Sequence, residues 1–496
     1  MQITKKQSWA VRSVLIFFGI IYLLIPVVNH YYLRTFCYDY GVYNQAFYDY
    51  AHFRTNPNTV IDPPISSFMQ IHVAFLLYIL APLYWIIGWL TGTYTLLIIQ
   101  SVVVIAGGYA VYLFLKEQVS DFRLALLGMI HYFLLLGHLS AFGSDYIDTT
   151  VGASLMPFFL LYFFRKKIIH ASVFFLLILL TKENMALWLV FVCLAIIIIK
   201  RKERFFLKSG TVFLSVAAIY FIFIYPALVR AFEDSPGSYG GFAFSMLGNN
   251  AGEAFVFLVT NPSKAIELLF VNPSGDPANN GIKLEFYIVF LLSGGILLYR
   301  KPVLLLMFIP IIAQKMYNDS AVRWGIISFY SIEIVSILSI CVFLAIACYR
   351  NKKIQLIIAS ALLVSTLTIT VVKLNNRVIA YNLDKENIFS GEFYKSEYNI
   401  ENVKKGLSMI PDDEPVCASG KLVPHLAFRR TIHCFPYVRE SKYIALLNEN
   451  SSYPLSPEDY AKMAAKYKNN PQWEPVYACP EMVILRKKEP GVADLK

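Results

Sequence analysis

Hydrophobic and polar positions fall in long blocks along this chain. Apolar runs cover 9–28, 68–90, 94–115, 124–142, 149–164, 168–180, 185–199, 209–229, 284–299, 302–317, 326–348 and 354–373. Many approach the roughly 20 apolar residues that cross a hydrocarbon core. The pattern therefore predicts an all-α polytopic membrane domain over residues 1–373. From 374 to 496 the runs stop, and Asp, Glu, Pro and Asn become frequent. There, "PVCASGKLVPHLAF" and "EPVYACPEMVILRK" each read as a strand entering a turn, and "SPEDYAKMAAKY" as a capped helix. The expectation for this segment is a small soluble α/β domain.

The polar gaps decide which runs cross. Basic clusters occur at Lys116 with Arg123, at 165–167, at 200–204, at 300–301 and at 350–353. If all twelve runs crossed, those at 165 and 200 would face away from Lys5, Lys6 and Arg12, against the tendency of basic residues to stay cytoplasmic. The run 68–90 carries His72 near one end, Pro82 inside, and Trp85 and Trp89 at the other. Reading it as a non-crossing interfacial helix puts every cluster on one side, with roughly 18 basic residues inside and about 8 outside. The expected topology is then about 11 transmembrane helices and one interfacial helix, a cytoplasmic N-terminus and an exoplasmic C-terminal domain. The first run, Trp9 to Val28, lacks a small-residue cleavage site and is expected to stay as a helix.

Residues 168–199 need a further break. One helix of that length would reach about 48 Å, against a core of about 30 Å. A short hairpin with "TKEN" (181–184) at its apex fits better, and it makes Lys182 and Glu183 intramembrane ionisable groups. They are either a functional pair or a self-neutralising one at a turn.

Composition agrees with a membrane chain: 57% of the 496 residues are hydrophobic and 16% charged, where soluble domains carry about 25%. The net charge of +11 is dispersed between apolar runs. It suits topology and anionic lipid, and nucleic acid is not an expected partner. There is no Gly-rich phosphate loop, HExxH or nucleophile motif. Cys37, Cys193, Cys341 and Cys348 lie in or beside apolar runs and read as small buried hydrophobes. Cys417, Cys434 and Cys479 lie in the polar region, where an oxidising compartment would allow one disulfide of unassigned pairing.

On this topology the candidate chemistry collects on the outer face. Asp39 sits in "FCYDYGVYNQAFYDYAHF", just after the first run, where a carboxylate can act as base or metal ligand. Gln45 lies in the same stretch, whose Tyr43, Phe47 and Tyr50 recur at helical spacing and suit an interfacial helix. Asp145 and Asp148, at i and i+3 in the next outer loop, would share one face of a helical turn and could take a divalent cation. Arg323, just before a run, can hold a phosphate or snorkel to the interface.

A first outer loop with an acid, a non-crossing helix, a short hairpin with lysine at its apex and a soluble C-terminal domain together resemble the GT-C-type glycosyltransferases, such as protein mannosyltransferases and aminoarabinose transferases. More closely, "DYGVYNQAFYDYAH", "IHVAFLLYILAPLY", "TKEN", "SMLGNN" and "ASGKLVPHLAFRRTIHCFP" resemble a bacterial and archaeal membrane-protein family defined by a domain of unknown function, over about residues 15–485. The resemblance implies transfer of sugar from a polyprenyl-phosphate carrier to an acceptor on the outer face of a bacterial plasma membrane. Asp39 would match the first-loop acid, Asp145 or Asp148 the second-loop acid, and Lys182 the hairpin lysine. On this reading Lys182 and Arg323 are expected to face the donor phosphate, and Gln45, His72 and Glu183 to line the substrate site. Two positions depart: Asn184 stands where the family carries a second acid, and Ile147 where a histidine is expected. The rival readings are a flippase of lipid-linked saccharides, which would need charges near the midplane in related halves, and a non-catalytic assembly subunit.

Overall fold

The computed structural model describes residues 4–55, 57–119, 121–233, 242–380, 383–449 and 453–488. Helix dominates as far as Asn375. The first helix, Lys5–Tyr31, starts at a capping box in which Thr4 and Gln7 exchange side-chain and backbone hydrogen bonds. Tyr22, fully buried on it, donates to the Phe133 carbonyl at 2.6 Å.

Among the described residues, four helices are long and apolar enough to cross a membrane: Lys5–Tyr31, Tyr84–Val119, Arg204–Phe232 and Lys352–Asn375. Phe122–Leu134 and Leu136–Phe142, bent by 43° at their break, make a fifth if taken as one span. Helix length alone thus supports four or five spans, where the apolar runs gave about eleven. The difference has local causes. Residues 282–316 are cut into short helical pieces at Gly294, whose φ is +103°, and at Pro302, which cannot continue a helix. The run 68–90 is not one helix either: it holds a 3₁₀ turn at Phe68–Gln70, a short helix at Leu76–Leu80, and a stretch from Tyr84 that leads into the helix ending at Val119.

The chain also breaks at the TKEN segment, between helices Ile168–Leu179 and Glu183–Ile199. Lys182 there is fully extended, with φ −164° and ψ 159°. The Phe75 amide donates to the Leu180 carbonyl at 2.9 Å, which ties the 68–90 segment to this break.

The C-terminal sheet has five strands: β1 (Val416–Ala418), β2 (Ile432–Cys434), β3 (Tyr443–Leu447), β4 (Trp473–Ala478) and β5 (Met482–Lys487), in the order β2-β1-β3-β5-β4. β1 runs parallel to β2 and β3, while β5 is antiparallel to β3 and β4. Its two faces follow the two-residue strand period. Cys417, Ile444, Leu446, Val483 and Leu485 pack on the helix Pro457–Lys468, which Ser456 caps. Val416, Ala418, Cys434, Ala445 and Ile484 share a core with residues of the first polar stretch, among them Tyr40, Tyr43 and Phe47. Two segments some 400 residues apart therefore form one hydrophobic unit. The close approach is visible at Gly41, where an added Cβ would meet Val423 Cγ1 at 2.8 Å.

The connection between helix Lys352–Asn375 and the sheet is locked by a buried ion pair. Arg377 and Glu386 meet at 2.7 Å with side chains 1% and 0% exposed. Ser140 donates to Glu386 at 2.9 Å, and Arg377 donates to the Ile326 carbonyl at 2.9 Å. Arg34, from the end of the first helix, donates to the carbonyls of Glu392 and Lys395 at 3.1 and 2.6 Å. This lays the segment 383–395 against the stretch that carries Asp39.

Candidate active site

Asp39 lies in a single π-turn, Cys37–Gly41, at the entry to helix Val42–Ala51. Its residue is exposed, yet enough protein surrounds the carboxyl for burial to raise its pKa, with Lys385 pulling in the opposite direction. Open to solvent and walled by protein, it is placed as a reactive acid would be. Its neighbour Asp145 is buried and holds a left-handed backbone, φ +66°, at which a non-glycine residue is strained. The Asp145 carboxylate accepts from the Phe36 amide at 3.0 Å, and its carbonyl accepts from Gln100 at 3.0 Å. Burial lifts Asp145 to about 7, against the pull of Lys385 and with a smaller push from Asp39.

Asp148 opens the helix Asp148–Phe164 and is also buried. The Tyr146 hydroxyl donates to its Oδ1 at 2.6 Å, while Oδ2 has no partner among the described residues. Burial lifts Asp148 to about 7, with Tyr146 and Lys182 opposing. The expected helical turn holding Asp145 and Asp148 on one face is not formed. Asp145 is left-handed and Ile147 extended, and the two carboxylates have different partners, the Phe36 amide for Asp145 and the Tyr146 hydroxyl for Asp148.

A second pole is built at the TKEN break. His72 Nδ1 lies 3.5 Å from Glu183, and His72 feels the charges of Lys182 and Arg323. Lys182 sits over the Phe329 ring at 5.5 Å and Arg323 over the Tyr330 ring at 5.6 Å. Neither cation is in a salt bridge among the described residues, nor is Lys385. Asn184 donates to the buried Glu333 at 2.7 Å.

Tyr43 joins the poles. Buried on helix Val42–Ala51 against the rings of Phe68 and Tyr146, it feels the charges of Asp148, Asp39 and Glu183 together. Seven sequence candidates (Asp39, His72, Asp145, Asp148, Lys182, Glu183 and Arg323) thus form one electrostatic neighbourhood. Gln45 does not join it. It is fully buried, donates to Thr59 Oγ1 at 2.8 Å and to the Arg430 carbonyl at 3.1 Å, and accepts from the Thr59 amide at 3.0 Å. Its helix is no interfacial one: Tyr43, Phe47 and Tyr50 are all buried, so the aromatic spacing marks a core face. Lys385 and Tyr146 escaped the sequence reading, since nothing local distinguishes them from other lysines and tyrosines, and Tyr43 stands out there only as one of a row of aromatics.

Among the described residues no three His, Cys, Asp or Glu side chains converge to hold a metal ion. Asp39, Asp145 and Asp148, the acids the sequence allowed as ligands of a divalent cation, are not part of any such group.

The two raised acids carry a pH signature. A carboxyl whose folded pKa exceeds its unfolded value favours folding below the unfolded pKa and loses that contribution as pH rises through the folded one. For Asp145 the loss runs from about 4 to about 7. Asp145→Asn, which keeps an acceptor for the Phe36 amide, is expected to raise the unfolding midpoint at pH 8 more than at pH 5. Thermal unfolding in detergent at the two pH values checks this.

Several apolar helices, a small sheet docked on the first polar stretch and a two-pole polar site define the class: a multi-helix membrane protein. Residues 29–474 match a family model described as a predicted membrane protein, DUF2079, and the chain belongs to that family. Among solved structures, a crystal structure of ArnT from Cupriavidus metallidurans bound to undecaprenyl phosphate is similar at 11% identity and a TM-score of 0.48, covering 95% of this chain and 97% of that one. No curated protein matches the sequence.

Proposed function

We propose that the protein is a GT-C-type membrane glycosyltransferase of a bacterial plasma membrane, using a polyprenyl-phosphate sugar as donor at its exoplasmic face. What supports this reading is the grouping around buried Tyr43: an exposed acid, Asp39, near Lys385, and, by the His72–Glu183 contact at 3.5 Å, the cations Lys182 and Arg323, which are in no salt bridge among the described residues. Inverting transfer needs both parts. Asp39 takes the proton of the acceptor hydroxyl as its oxygen attacks the anomeric carbon, and the bond from that carbon to the phosphate oxygen breaks with its electrons staying on phosphate. Lys182 and Arg323 neutralise the phosphate as its charge grows, which preorganised cations do without reorganising at the moment of reaction. Asp145, its pKa raised to about 7, carries less negative charge near neutrality than an ordinary carboxylate and so opposes the charge of Asp39 less.

The same reading includes about eleven spans, residues 374–496 as an exoplasmic domain, and an interfacial role for 68–90. The flippase alternative draws less support. The buried Lys315 and Glu333 are tied to the Gly325 and Tyr330 carbonyls and to the Asn184 amide, so they are not free to receive a moving saccharide.

Binding tests the phosphate pole. The double substitution Lys182→Gln with Arg323→Gln is expected to weaken polyprenyl-phosphate binding at least tenfold. The measurement is a titration of protein in nanodiscs. Unchanged affinity would remove these cations from the donor site.

A further inference from the structure

We propose that Cys37 and Cys434 are joined by a disulfide that fastens the Asp39 turn to the C-terminal sheet. Their sulfurs lie 3.3 Å apart, across a separation of 397 residues. Both side chains are buried, at 0% and 1% exposure, in the core shared by the first polar stretch and the sheet. A disulfide needs sulfurs at about 2.05 Å, so the bond draws the two sulfurs together from this contact. The pairing expected among Cys417, Cys434 and Cys479 is not the one the fold prepares. Cys417, next to Cys434 in the sheet, points to the opposite face, into the layer of helix Pro457–Lys468. Cys479 is half-buried beyond the end of β4.

The location gives the bond a purpose. Cys37 opens the π-turn that holds Asp39, two residues on, and Gly420 packs on Cys37 Sγ at what would be 3.3 Å from an added Cβ. A covalent tie there fixes the turn against the sheet through the same contact that crowds Gly41 on Val423. Formation balances as thiol–disulfide exchange. The Cys37 thiolate attacks a protein or small-molecule disulfide of the exoplasmic space and releases one donor thiol. The Cys434 thiolate then attacks the Cys37 sulfur of that mixed disulfide and releases the second. The donor gains two electrons and two protons. Both sulfurs are shielded once the loop and sheet pack, so exchange precedes that packing.

The oxidising side rests on the exoplasmic orientation proposed above, and thiol mapping separates the two. Full-length protein is purified without reductant, denatured, alkylated with N-ethylmaleimide and analysed by peptide mass spectrometry. The expected result is a peptide pair linked through Cys37 and Cys434, with Cys417 alkylated. In Cys37→Ser, Cys434 should become alkylated, whereas Cys193→Ser should leave the link intact. Alkylation of both Cys37 and Cys434 in the native chain, or a link from Cys434 to Cys417, overturns the proposal. If the free pair then closes when the denatured protein is refolded in oxidised glutathione, the geometry was right and the exoplasmic orientation was wrong. Loss of transfer in Asp39→Asn tests the transferase reading by itself, whichever way the thiols map.

Discussion

Asp39→Asn is expected to lower sugar transfer by about 10²–10⁴-fold, the usual contribution of a positioned general base, while donor binding stays within twofold. The amide keeps the size of the carboxylate and cannot accept the hydroxyl proton. Because Asp39 is exposed and no described residue hydrogen-bonds its carboxylate, the substitution leaves no buried group unpaired, and folding should be unaffected. The pH dependence follows from the direction of its shift. A base works when deprotonated, so the rate should rise with pH through the raised pKa of Asp39 and fall in acid. Lys385 pulls that pKa down, so Lys385→Gln should move the acid limb to higher pH and leave the high-pH plateau nearly unchanged. Rates of transfer from a polyprenyl-phosphate sugar, measured from pH 5 to pH 9, check both statements. An Asp39→Asn enzyme with full activity would assign the proton to another group.

Glu386→Ala should cost more stability than any surface change. It leaves the Arg377 guanidinium buried at 1% exposure with its carboxylate removed. Breaking one side of such a pair typically costs about 3–5 kcal/mol. Ser140 would lose its shorter hydrogen bond as well, keeping only the Ile326 carbonyl at 3.4 Å. Replacing both partners with apolar residues, Arg377→Met with Glu386→Leu, should recover most of the loss, because no unpaired charge remains. Unfolding midpoints in detergent for the single and double variants distinguish a broken pair from general damage. Lys385 directly precedes Glu386, so the single variant should also perturb the acid limb of the rate profile, which a distant core defect would not.

The residues show why some of this was legible from sequence and some was not. The break at TKEN could be read because a continuous apolar stretch of that length outruns a bilayer, and a lysine–acid pair marks where it stops. The helix beginning at Ser456 could be read because a cap and its first-turn acids are adjacent in sequence. Asp39, Asp145, Asp148 and Lys182 stood out because charge is scarce beside apolar runs. What sequence could not give was long-range partnership. Gln45 reads as a polar residue on an aromatic helix, yet its partners Thr59 and Arg430 are known only once the sheet docks. Cys37 reads as one more small apolar residue until Cys434 arrives from the far end of the chain. The fragmentation of 282–316 was foreshadowed by Gly294 and Pro302, but hydropathy averages over both.

The most direct measurement is a structure of the protein in lipid nanodiscs with polyprenyl phosphate added. The expected result is phosphate density between Lys182 and Arg323 beside His72, with Asp39 and Lys385 facing it across Tyr43 from the exoplasmic side. Phosphate bound away from Lys182 and Arg323, or a membrane boundary that buries Asp39 in lipid, would contradict the proposed transferase site.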